Sequence, residues 1–150
     1  MNNELYNKLY NDIKEFRAAF NLPINDGDYF DLNLHESLLL EEMEELALST
    51  TRTKQLDAIV DSMYARIGKQ VNAGLFEVDP IIEMLYKLTL KMNFKFEKAW
   101  GIIHASNMSK LCVSYEEAEE TVKSYIELGY LDLAITNVDN NTENIGLLRL

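Results

Sequence analysis

One cysteine, two prolines and six glycines are all that this 150-residue chain holds of the residues that staple, break or loosen a backbone. A lone Cys112 cannot close an internal disulfide, and KLCVSY offers it no activating neighbour beyond Lys110, so Cys112 reads as packing. Basic side chains are scarce as well, 14 against 25 acids, which leaves a formal net charge of -11. An acidic surface repels phosphate backbones and argues against a nucleic-acid partner. No run reaches the roughly 18 apolar residues of a membrane span. The opening MNNELYNKLYNDIKEF lacks the basic start and apolar core of a signal peptide. The expectation is a cytoplasmic protein with no membrane partner.

What the chain does have is periodic hydrophobicity, at 47% hydrophobic residues, which excludes disorder. Its length suits one domain, 1–150, able to bury roughly two-thirds of its unfolded surface without a structural metal. Leu5, Leu9, Ile13, Phe16 and Phe20 recur at helical spacing, and that helix should end before Asn21-Leu22-Pro23. INDGDYFDLN is rich in turn formers and reads as an ordered loop with Tyr29 and Phe30 tucked in. Asn33 followed by Glu36 predicts a capping box opening a second helix to about Leu48. Thr51 or Thr53 caps a third, which runs past Gly68 towards Gly74. Asp79-Pro80 opens a fourth, FEKAWGIIHA forms a fifth, and Ser114 with Glu117 opens a sixth. LDLAITNV and IGLLRL flank a polar DNNTEN turn and predict a small C-terminal β-hairpin. The fold class is mainly α, an antiparallel four-helix-type bundle with accessory helices.

The chemistry concentrates in the second helix, LHESLLLEEMEELAL. At about 100° per residue, Leu34, Leu38, Glu41, Glu45 and Leu48 share one stripe, with Glu42 beside it. Leucines occupy the other faces too, so the helix should be buried nearly all round. Its glutamates are like-charge neighbours, each pair costing about 0.2–0.5 kcal/mol even in water. No lysine or arginine within the helix offsets them. On the third helix Asp57, Asp61 and Tyr64 share a face. Read alone, EEMEE is as a rule a solvated helix face. Two helices joined by a short turn pack antiparallel, however, and their acids can then form an oxygen-rich cluster of the kind Mg²⁺ or Mn²⁺ prefers. Calcium loops starting at Asp26 or Asp139 are rejected for want of the required glycines. His35 and His104 stand isolated and are not expected to bind metal.

Glu41-Glu42-Met43-Glu44-Glu45 resembles the E-E-x-x-E motif of the all-α nucleoside triphosphate pyrophosphohydrolases, the MazG-like superfamily. DAIVDSMYARIG resembles its second motif, and HASNMSK at His104–Lys110 resembles the phage-type, phosphoribosyl-ATP pyrophosphohydrolase-like branch. The similarity covers roughly residues 30 to 130. It implies an all-α domain that hydrolyses a nucleotide between its α- and β-phosphates with Mg²⁺. Glu42, Glu45 and Asp61 would be metal ligands, and Glu41 a further ligand or the base that orients water. The commoner second motif is E-x-x-D, but Ala58 stands three before Asp61, so Asp57 at i-4 takes the place of the usual glutamate. Asn107 and Lys110 fit a phosphate clamp, although an N-cap asparagine and a surface lysine are equal readings. Tyr64 and Trp100 can stack on a base or belong to the core. Lys87, Lys91, Lys95 and Lys98 can draw in a polyphosphate tail or simply be the wet side of helices. The resemblance also implies a homodimer or homotetramer. Phosphoribosyl-ATP hydrolysis and a non-catalytic acidic interaction protein are the alternatives.

Overall fold

The computed structural model describes residues 1–111; the helix expected from Ser114 and the C-terminal hairpin lie outside the described residues. Five helices follow one another: α1 (Asn3–Ala19), α2 (Leu32–Leu48), α3 (Arg52–Ala73), α4 (Pro80–Lys91) and α5 (Phe96–Met108), with a 3₁₀ turn at Gly27–Tyr29. Among the described residues there is no strand, and the protein is mainly α. The chain divides into two compact units, Met1–Ile103 and a second beginning at His104.

Local chemistry sets the helix ends. Asn2 caps α1 by accepting the Leu5 N–H at 2.8 Å. Asn21 then takes the left-handed conformation (φ 55), and the Leu22 N–H reaches back to the Arg17 carbonyl at 2.7 Å, closing the helix just before Pro23. Thr51 caps α3, its hydroxyl accepting the Lys54 N–H at 3.2 Å. Gly74 ends α3 at φ 73, a conformation that costs a residue with a β-carbon. There is a second reason for glycine: a β-carbon here would come within 1.9 Å of Asn25 Oδ1. Asp79 caps α4 by accepting the Ile82 N–H at 2.9 Å, with Pro80 in the first turn. The same carboxylate accepts Arg66 Nε at 2.6 Å, tying the start of α4 to α3.

The core of the first unit forms around α3. Ile59, Val60, Met63, Ile67 and Val71 are fully buried there, each side chain contributing about 1.5–3 kcal/mol by leaving water. Helices α1, α2 and α4 each pack on α3. From α1 come Tyr6, Leu9, Ile13 and Phe16, and from α4 Ile82 and Leu85. A three-residue link, Ser49 to Thr51, makes α2 and α3 an antiparallel hairpin.

Four expectations change. The cap of α2 is Asp31, which accepts the Leu34 N–H at 3.1 Å. Its carboxylate both satisfies an orphan donor and complements the positive helix terminus, which Asn33 cannot do. Tyr29 is 73% exposed, while Phe30 alone turns in and stacks on His35 at 5.3 Å between ring centres. α5 continues three residues beyond the expected FEKAWGIIHA, to Met108. Finally, α2 is not buried all round. Only His35 and Leu39 are buried, whereas Leu32, Leu34, Leu38, Leu40 and Leu48 are exposed, Leu48 at 81%. In the first unit α2 lies mainly against α3, so one face is covered.

Candidate metal centre

On α2 the face turned towards the core runs through His35, Leu39, Glu42 and Leu46. It is the neighbour of the expected stripe, because Leu34, Leu38, Glu41 and Leu48 point to solvent. Glu42 and Glu45 are consequently half-buried, as is Asp61 on α3. Each of the three offers a carboxylate oxygen, and those oxygens lie within 4.8 Å of one another. Among the described residues, this is the one group of three or more acids, histidines or cysteines gathered closely enough to hold a metal ion. Oxygens on opposite sides of a magnesium ion stand about 4 Å apart, twice a bond of about 2.0–2.1 Å. Of three ligands in an octahedron at most one pair stands opposite, and the other pairs are adjacent at about 2.9 Å, so the carboxylates would draw closer around an ion. Hard carboxylate oxygens from two antiparallel helices are the donor set that suits Mg²⁺ or Mn²⁺.

The other expected ligands are placed differently. Glu41 is exposed and stands outside the group. Asp57, one turn before Asp61 on α3, is also outside it, although its Oδ2 is shut away from solvent, as is Glu42 Oε2. Tyr64 belongs to the core. It is buried between Phe16, edge-on at 5.3 Å, and Trp100, tilted at 5.3 Å. Trp100 is 1% exposed, and its indole N–H donates to Asp12 Oδ2 at 2.9 Å. Neither ring offers a free face to a base. Lys87, Lys91, Lys95 and Lys98 are all exposed, and Lys87 pairs with Glu83 at 3.7 Å.

In the second unit, Asn107 sits in the last turn of α5 and Lys110 just beyond it. Both are buried, and Lys110 Nζ donates to Asn107 Oδ1 at 2.6 Å. Asn107 is therefore not a helix N-cap, and Lys110 is not a surface lysine.

Sequence reasoning missed the polar cluster at the other end of the α2–α3 pair. His35 is 5% exposed, and its Nε2 lies 2.8 Å from Asn72 Oδ1. The Asn72 amide donates to the Asp26 and Tyr29 carbonyls, both at 3.4 Å, so its oxygen must accept and His35 Nε2 carries the proton. Burial pushes the His35 pKa below its ordinary value. The bond to Asn72 opposes that shift, and the charges of Arg17 and Lys69 add to it. His35 is thus neutral at pH 7. The usable signal was its spacing, four before Leu39 and seven before Glu42, on the face that became buried.

No protein-family model matches the chain, and no solved structure does. A stretch of 57 residues is 32% identical to an uncharacterized protein of Acanthamoeba polyphaga mimivirus. The match covers 38% of this chain and spans 23% of that protein's length. No helix among the described residues is long and apolar enough to cross a membrane.

Proposed function

We propose that the chain is a Mg²⁺-dependent nucleoside triphosphate pyrophosphohydrolase, cleaving the α–β phosphoanhydride bond to give a nucleoside monophosphate and pyrophosphate. The observation that carries this reading is the meeting of Glu42, Glu45 and Asp61 across the α2–α3 pair. They are three of the residues that the resemblance to the MazG-like superfamily makes metal ligands; Asp57 is another, and Glu41 is a further ligand or the base. In this reading they hold the ion from two helices, so the rigidity of the hairpin sets its place. A divalent ion bound there neutralises phosphate oxygens and lowers the pKa of a bound water. Without it, the carboxylates repel a triphosphate, which makes substrate binding conditional on loading of the site. Glu41 faces solvent and stands outside the group, so of the two roles the resemblance allows it, that of base rather than ligand is retained.

The exposed leucines of α2 support the accompanying expectation of a homodimer or larger assembly: Leu34 and Leu38 are neighbours on its solvent side, and Leu48 follows beyond the exposed Glu41. They equally suit a non-catalytic interaction protein, and activity separates the two. The purified chain is incubated with NTPs, dNTPs and phosphoribosyl-ATP plus Mg²⁺, and pyrophosphate and orthophosphate are both measured. Pyrophosphate release that stops with EDTA is the expected result. Orthophosphate alone means that a different bond is cut, and neither product leaves the interaction protein. Selective turnover of phosphoribosyl-ATP narrows the substrate without moving the bond.

A further inference from the structure

Among the basic side chains of the first unit, Arg17 differs from its interior neighbours. Arg66 reaches Asp79 and Glu36, and Lys69 reaches Glu36. Arg17 is only partly exposed, and in a chain with 25 acids it has no carboxylate partner among the described residues. Its acceptor is the Pro23 carbonyl, reached by Nε at 2.8 Å. A guanidinium carries five N–H donors, so four are left on its outer Nη1–Nη2 edge. The carbonyl end of α1 supplies partial negative charge nearby, but no ionic partner.

What surrounds that edge favours an anion. Nη1 lies against Gly68, where even a β-carbon would stand 3.5 Å away, so no longer side chain at this position covers the fork. His35 feels the charges of Arg17 and Lys69, which lower its pKa, and that of Asp31, which raises it, so Arg17 and His35 share one neighbourhood. Burial pulls the Arg17 pKa below the usual guanidinium value, with no nearby acid to hold it up. The place is also separate from the acids. Glu42 to His35 on α2 and Asp61 to Gly68 on α3 are seven residues each, or about 10 Å at 1.5 Å per residue.

We propose that the Nη1–Nη2 edge of Arg17, over Gly68 and beside His35, binds a phosphate-type oxyanion. Planar, two-point recognition of phosphate is what a guanidinium does and a lysine ammonium does not. The anion is either free phosphate or the end of a nucleotide's phosphate chain. The site does not depend on the metal-centre reading.

The test is calorimetric titration in EDTA with orthophosphate, pyrophosphate, a nucleoside triphosphate and, at matched ionic strength, chloride. Orthophosphate and pyrophosphate should bind and chloride should not. Arg17→Gln should abolish binding, and Arg17→Lys should weaken it about tenfold by keeping the charge but losing the fork. Glu45→Gln should bind phosphate as the wild type does, which separates this site from the acids. Equal affinity for orthophosphate and triphosphate assigns a free anion; tighter, Arg17-dependent triphosphate binding assigns a nucleotide's phosphates. Both uphold the site. No phosphate-specific heat, or heat unchanged in Arg17→Gln, overturns it. Circular dichroism checks that each variant folds. If Arg17→Gln unfolds, undiminished binding by Arg17→Lys overturns the proposal instead.

Discussion

The two ends of the α2–α3 hairpin treat buried polarity in opposite ways. At one end His35, Asn72 and the carbonyls of Asp26 and Tyr29 are linked donor to acceptor. At the other, Glu42, Glu45 and Asp61 bring three acceptor-only groups together. The first arrangement fastens the loop before α2 onto α3. The second concentrates like charge, which a cation relieves. The difference teaches where a ligand is worth testing: one cluster is tied together by neutral hydrogen bonds, and the other gathers carboxylates, the groups that a divalent cation takes as ligands.

Four measurements can break or sharpen that contrast. The largest effect should come from Glu45→Gln, which on the proposed reading removes a ligand and one repulsion together. Turnover should fall by more than about 100-fold, beyond what outer-shell groups usually cost, while helicity stays. Wild-type turnover in this variant would remove Glu45 from the site. At the hydrogen-bonded end, Gly74→Ala meets both the left-handed backbone and the Asn25 side chain, and should cost about 2–3 kcal/mol in urea unfolding. Asn25→Ala in the same chain should recover part of this, because the clash goes and the φ penalty stays.

Cation addition should give the third largest effect. If the dissociation constant is near 1 mM, 10 mM Mg²⁺ stabilises the fold by about 1.4 kcal/mol, visible as a higher Tm that Glu45→Gln loses. An unchanged wild-type Tm would erase the distinction between the two ends. The smallest effect concerns pH. His35 resists protonation when folded and accepts it when unfolded near pH 6.5. Below that pH the unfolded state binds more protons, so stability is fully present above about 6.5 and declines as pH falls towards the folded pKa. His35→Gln should flatten that part of the stability curve, and an unaltered slope would mean that another group sets it.

How much could be read in advance followed from how local each signal was. Thr51, Asp79-Pro80 and Gly74 mark helix ends through bonds within a few residues, so the bounds of α3 and α4 were legible. Glu42, Glu45 and Asp61 were legible as a group because like charges at helical spacing, on two helices joined by a short turn, leave few arrangements. The buried face of α2 was not. With leucines at 34, 38, 39, 40, 46 and 48 the helix is apolar in every direction, and periodicity cannot choose between adjacent faces. That choice moved Glu41 to solvent and brought His35 inside. Asp31 was passed over because a cap two residues upstream competes on charge as well as geometry. The fate of Tyr64 depended on Phe16 and Trp100, both far away in sequence.

The single tryptophan has a practical use. Trp100 rests on Tyr64 of the central helix and donates to Asp12 of the first one, so its emission reports on the place where three helices join. Loss of that junction should shift its fluorescence to the red as the indole meets water. The chain thus carries its own optical gauge for the first unit, one that can follow every variant above without a label.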